Sequence, residues 1–148
     1  MTRVRTAVLI AISACALALP SAASGSAAST MVQRINQIRH QHGLPSVHQS
    51  GSLMHSANAY AHEMMSSGYY GHASRIHASR RFRTLGEIID LRSGGNPAVG
   101  QTVSDWMNSS EHRAIILMGT FRFAGAGFAS GNFHGHRSTI WVMHFGRH

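Results

Sequence analysis

The sequence predicts an α+β fold, on three observations. Apolar residues recur at helical spacing through most of the chain, the pattern changes after Gly119, and the final run over residues 139–145 is apolar on both faces. Helices first and strands late, gathered around one small sheet, describe a sandwich whose central strand is covered on each side. At 148 residues the chain makes one domain.

At the N-terminus, Arg3 and Arg5 precede an apolar run over residues 7–19, and small residues follow at Ser21-Ala22-Ala23 and Gly25-Ser26-Ala27-Ala28. This is the pattern of a secretory signal peptide over residues 1–28, cut between residues 23 and 28, with the folded domain over 29–148. The run is too short to span a bilayer and no second one follows, so no transmembrane segment is expected in the mature chain. Ile12-Ser13-Ala14-Cys15 also resembles a lipobox, which makes a lipid anchor through Cys15 the alternative to free secretion. Cys15 is the only cysteine. An exported domain cut after it has neither disulfide nor thiolate and must stand on core packing.

Ser29-Thr30 reads as the cap of a first helix. Met31, Val32, Ile35 and Ile38 give that helix an apolar stripe as far as about His42, where Gly43 stops it. Asn36 and Arg39, three apart, share one side of it. A second helix starts near Ser50 or Ser52 and ends at Gly68, burying Leu53, Ala57, Tyr60, Ala61 and Met64. Its alanines imply a close neighbour, and His55 and His62 share a side. Tyr69-Tyr70-Gly71-His72 is a turn, residues 74–83 read as a short helix with Ile76 and Phe82 inward, and residues 85–89 are a brief apolar run around Glu87. Residues 92–97 form a loop. A third long helix from Pro97 or Ala98 carries Val99, Val103, Trp106 and Met107, with Asp105 toward solvent. Ser109 or Ser110 caps the turn that follows. Phe121, Phe123, Gly125, Gly127 and Phe128 then form a glycine-rich strand, residues 130–136 an exposed connection, and residues 139–145 the central strand. Trp106 and Trp141 are expected as core anchors.

The charge is one-sided. Thirteen basic residues, all arginine, face five acidic ones, a formal net charge of +8, and twelve histidines add a titratable reserve. Such a surface attracts anionic polymers, lipid headgroups or nucleic acid. Export and the absence of any recognition motif leave no expectation of nucleic acid.

With so few acids, the run Trp106-Met107-Asn108-Ser109-Ser110-Glu111-His112-Arg113 is a candidate site, and His72 and Glu87 are expected near it. Glu87 stands in an apolar run, where a carboxylate is costly without a partner. It either accepts backbone N–H groups, pairs with an arginine, or joins histidines around a cation. No His-Glu-x-x-His or Gly-x-Ser-x-Gly is present.

These residues resemble a family. Asn36-Gln37-Ile38-Arg39, Gly43-Leu44-Pro45, Ala61-His62-Glu63-Met64, His72, Gly86-Glu87, Trp106-Met107-Asn108-Ser109, His112-Arg113, Ile116-Leu117, Gly125-Ala126-Gly127 and Trp141-Val142-Met143-His144-Phe145-Gly146 together look like the CAP superfamily (cysteine-rich secretory protein, antigen 5, pathogenesis-related 1), in its bacterial SCP-domain branch. The resemblance implies a three-layer α-β-α sandwich with a small, mainly antiparallel central sheet, and an exported location. It also implies a cleft of histidines and acids that holds Zn2+ or another divalent cation in several relatives, with His72, Glu87 and His112 on three of its positions. Ser109 stands where many eukaryotic relatives carry a second glutamate, and Ile88 follows Gly86-Glu87 where asparagine is usual.

The leading functional expectation is a secreted, non-catalytic extracellular or cell-envelope binding protein. Its partner would be an anionic envelope polymer, a lipid or a small hydrophobic ligand, and its His/Glu-lined cleft would be open to a divalent cation. The alternatives are a metal-dependent hydrolase, in which His72, Glu87 and His112 leave one zinc position for water, and a purely structural or interaction module.

Overall fold

The computed structural model describes residues 22–148, with side chains from residue 27 onward. The expected signal run at 7–19 and Cys15 lie outside the described residues. The elements run α1 (Ala22–Gln41), β1 (His48–Gln49), α2 (Gly51–Ser67), β2 (Thr84–Ser93), α3 (Val99–Asn108), α4 (Ser110–Ile116), β3 (Phe123–Phe133) and β4 (His136–Arg147). The strands form one sheet in the order β1-β3-β4-β2. The β3–β4 and β2–β4 pairs are antiparallel, and only the two-residue β1 runs parallel to β3. The α+β sandwich with a small, mainly antiparallel sheet is the fold that forms.

Strand alternation divides the core in two. Ile88, Trp141, Met143 and Phe145 face the layer of α1, α3 and α4, where Met31, Ile35, Val103, Trp106 and Ile116 meet them. Ile89, Ile140 and Val142 face α2, where Ala57, Ala61 and Met64 close the other side. β4 is therefore apolar on both faces because it lies inside, with residues 138–146 all buried. Trp106 and Trp141 are both core anchors. The indole of the first donates to Ile89 O at 3.0 Å and that of the second to Pro97 O at 2.7 Å.

α2 follows its expected bounds. The Ser50 hydroxyl accepts from Leu53 N, and Gly68 closes the helix with φ 69° while its N–H reaches Met64 O. Its alanines let it lie close to β3. A methyl on Gly125 would fall on the backbone of Leu53 and Met54, and one on Gly127 on that of Asn58. Ser56 joins the buried face, whereas Tyr60 stays half-buried.

Four local expectations are corrected. Ser29 and Thr30 do not cap α1, which already begins at Ala22. Residues 74–83 are not helical. Ile76 and Phe82 are too far apart to make one helical stripe, and the segment is tied down instead as an extended strap, with Ser79 N bonded to Ser52 Oγ at 2.7 Å. The brief apolar run at 85–89 belongs to the first part of a ten-residue strand that continues through Arg92 and Ser93. The connection over 130–136 shrinks to His134-Gly135, both at positive φ, because strand pairing extends from Phe133↔His136 outward.

α1 is fastened by the pair the sequence put on one side. Asn36 bonds both the N–H and the carbonyl of Val47, at 2.8 and 3.0 Å. Arg39 is wholly buried. Its guanidinium donates to the carbonyls of Pro45, Ile116, Met118 and Phe121 at 3.0, 2.6, 3.1 and 3.3 Å.

Candidate functional site

Glu87 and His144 are direct cross-strand partners on β2 and β4, both on the α2 face. The register brings the carboxylate and the imidazole together, and Glu87 Oε2 lies 2.9 Å from His144 Nε2. Its other oxygen, Oε1, takes the N–H of Ala73 at 2.8 Å and meets His72 Nδ1 at 2.9 Å. One carboxylate thus fixes the start of the strap to the sheet through a main-chain and a side-chain donor.

Burial alone pushes the Glu87 carboxyl upward. The hydrogen bonds from His144, Ala73 and His72 outweigh it and hold the pKa below the ordinary glutamate value. An ionised Glu87 accepts at both oxygens, so His72 donates from Nδ1 and His144 from Nε2. His72 then keeps Nε2 at an exposed edge of its ring, while His144 is sealed. His144 Nδ1 is the one buried side-chain nitrogen or oxygen without a partner among the described residues.

His112, near the start of α4, is half-buried. Desolvation lowers its pKa, and the neighbouring His72 lowers it further, which puts the two imidazoles within electrostatic reach. Among the described residues, however, His112 hydrogen-bonds neither His72 nor Glu87, and no three His, Cys, Asp or Glu side chains are grouped to hold a metal ion. Glu87 already has both oxygens engaged. A divalent cation would find the free Nε2 of His72 and the ring of His112, fewer than the three or four protein ligands of a zinc site.

Around this cluster, Tyr69 and Tyr70 are exposed and flank His72 along the chain. Desolvation, with Asp90 close by, raises the Tyr70 hydroxyl to about 12. Tyr60 donates to Gly71 O at 2.8 Å and fixes the turn that presents His72. A hollow of about 250 Å3 opens beside it, lined by Tyr60, Glu63, Tyr69, His72 and the strap. On the other side, Arg92 bridges Asp90 and Asp105 at 3.4 and 3.1 Å and reaches Thr102 at 3.1 Å, which ties β2 to α3. Asp105 faces solvent as expected, but in an ion pair. Arg113 donates to Met107 O, not to Glu87 or Glu111.

Two of the three expected site residues, His72 and Glu87, are in contact. The residue missed is His144. A histidine in a strand apolar on both faces needs a buried partner, just as Glu87 does in its own apolar run, and matching those two unpaired polar residues would have found it.

Fold and cluster define a class: an α-β-α sandwich with a buried carboxylate clasped between a strand histidine and a loop histidine. The chain matches the CAP, cysteine-rich secretory protein family over residues 32–145, and belongs to it. The protein YkwD of Bacillus subtilis is 27% identical over 124 residues, covering 78% of this chain and 45% of that protein. An extracellular SCP-domain protein of Bacillus anthracis superposes with a TM-score of 0.67 at 20% identity, over 84% of this chain and 41% of its own. An outer surface protein of Borrelia burgdorferi gives 0.64 at 16% identity, over 80% and 90%. The chain spans less than half the length of the two Bacillus proteins. No helix among the described residues is long and apolar enough to cross a membrane.

Proposed function

We propose that this chain is an exported CAP-domain binding module that engages anionic polymer of the cell envelope and carries out no chemistry of its own. The observation that carries the reading is an unneutralised surface. Among the described residues Arg92 is the only arginine paired with a carboxylate, and Arg39 is spent on buried carbonyls. Arg34, Arg75, Arg80, Arg81, Arg83, Arg113, Arg122, Arg137 and Arg147 are exposed and form no ion pair among the described residues. Charge left open in this way is available to an external polyanion.

Export is supported by the sequence of residues 1–28 and by relatives described as extracellular or outer surface proteins. The non-catalytic part is supported by the engagement of Glu87 and by the neighbours of the imidazoles. Among the described residues His72 and His144 bond Glu87 and no serine, threonine or cysteine side chain, the contact that would mark an activated nucleophile.

The test is retention of the purified domain on anionic and neutral polymer columns as salt rises. Binding to the anionic matrix alone, weakening steeply as the screening length shrinks from about 10 Å at 0.1 M salt to 3 Å at 1 M, is the expected result. Equal retention on the neutral matrix refutes the electrostatic partner. Turnover of any ester, peptide or glycoside that disappears in His72→Ala refutes the non-catalytic reading.

A divalent cation is a second reading, favoured by the proximity of His72 and His112. Two imidazoles predict weak binding, lost as pH falls through the histidine range because protons compete for the same nitrogens. Calorimetric titration with Zn2+, with the His72→Ala/His112→Ala double variant as control, measures it.

A further inference from the structure

At one end of the sheet His48 of β1, Phe123 of β3, Phe82 just before β2 and His148 just after β4 form a ledge of rings. The Phe82 ring lies over Gly146, where a methyl would strike it. It meets the Phe123 ring edge-on at 5.7 Å and lies tilted against that of His148 at 5.0 Å. His148 stacks on Phe123 at 4.6 Å, and His48 of β1 adds a tilted ring at 6.1 Å. Phe82 and Phe123 are half-buried, His48 and His148 exposed. Three of the four rings have a charged neighbour in the chain: Arg81 and Arg83 flank Phe82, Arg122 precedes Phe123, and Arg147 precedes His148. Backbone bonds hold these segments together, with Arg83 N on Arg147 O at 2.8 Å and Arg122 N on Gly146 O at 3.1 Å.

We infer that this ledge is a binding site for an anionic glycan, with the exposed His148 ring, backed by Phe123 and Phe82, receiving a sugar face while Arg81 and Arg83 take the charged substituents. The inference rests on the anionic-partner reading above and gives it a place. Flat rings offer rigid apolar area at low entropic cost. Guanidinium groups fork onto phosphate or carboxylate oxygens, so either substituent suits them. A lipid surface is the poorer match, since the rings are half-sunk and the rim is charged rather than aliphatic.

The experiment compares two double variants that lose equal charge. Arg81→Gln/Arg83→Gln strips the ledge, and Arg34→Gln/Arg113→Gln strips exposed arginines elsewhere. Binding to phosphorylated dextran, uronate polysaccharide, plain dextran, sugar-free polyphosphate and phosphatidylglycerol vesicles is measured at low salt, with circular dichroism confirming the fold. The ledge double variant should lose about tenfold or more on both anionic glycans and the control double variant about twofold. His148→Ala, which removes one ring and no permanent charge, should weaken glycan binding and leave polyphosphate unchanged. Equal losses in the two double variants overturn the ledge while leaving a diffuse anionic partner standing. Polyphosphate or vesicles bound as tightly as glycan, with His148→Ala without effect, also overturn it. Failure of the unaltered domain to bind any anion overturns the ledge and the reading beneath it together.

Discussion

The two faces of the sheet each bury an ionised group, and they treat it differently. On the face of α1 and α4, Arg39 spends its guanidinium on four main-chain carbonyls, three of them at or beyond the C-terminal end of α4. Carbonyls there carry the negative end of the helix, so a cation is stabilised without a counter-acid. On the α2 face, Glu87 is satisfied three times over, but His144, which supplies one of those bonds, is left with a buried nitrogen that has none. The first arrangement closes its accounts inside the protein. The second pins a loop histidine, His72, at the surface and accepts an unpaired polar atom to do it.

Removing Arg39 should break the comparison most severely. Arg39→Met leaves several buried carbonyls without donors and should cost about 3–5 kcal/mol in urea unfolding, the scale seen when a buried charge network loses a partner. A loss under about 1 kcal/mol would mean that water replaces the guanidinium.

Next in size is the spacing between α2 and the sheet. Gly125 is the register partner of His144, and Gly125→Ala sets a methyl against the α2 backbone. The helix must lift, at a cost of about 1–3 kcal/mol. Fluorescence-detected denaturation measures the loss, and faster exchange of Ala57 and Ala61 amides would locate it.

Glu87→Gln should cost about 1–3 kcal/mol, since a neutral amide replaces an acceptor for three donors and turns an N–H toward some of them. Its signature is local. Proteolysis within the arginine-rich strap at 75–83 should accelerate more than global unfolding does.

The smallest effect is in pH. The folded pKa of Glu87 is depressed, so its contribution is complete above about 4.5 and is lost as pH falls through the folded value. The folded pKa of His112 is also lowered, by burial first, so the fold favours the neutral ring. Stability therefore begins to fall as pH drops below about 6.5. Asp90 opposes both, because burial raises its folded pKa and acid relieves that cost. Thermal midpoints from pH 7.5 to 5 should fall in the unaltered domain and fall less in His112→Gln, where the titrating ring is gone.

Much of this was legible in the sequence, for local reasons. Ser50 and Gly68 mark α2 because a hydroxyl cap and a left-handed glycine act within a turn of themselves. β4 declared itself by being apolar on both faces. Glu87 was recognisable as costly, and His72 was expected beside it. What stayed hidden depends on distance along the chain. Arg39 looked like one side of a helix because its acceptors at Ile116, Met118 and Phe121 lie about eighty positions on. The tie between Glu87 and His144 spans 57 positions and exists only in one strand register. The strap at 74–83 misled because alanines, serines and arginines allow a helix, and a tertiary bond from Ser52 decides otherwise.

The indole of Trp106 has one more consequence. β2 lies at the margin of the sheet, with β4 as its only strand neighbour among the described residues. By donating to Ile89 O, Trp106 occupies a carbonyl midway along that margin. A second copy trying to add a strand there would find that carbonyl already taken and would lose one ladder bond midway along the edge.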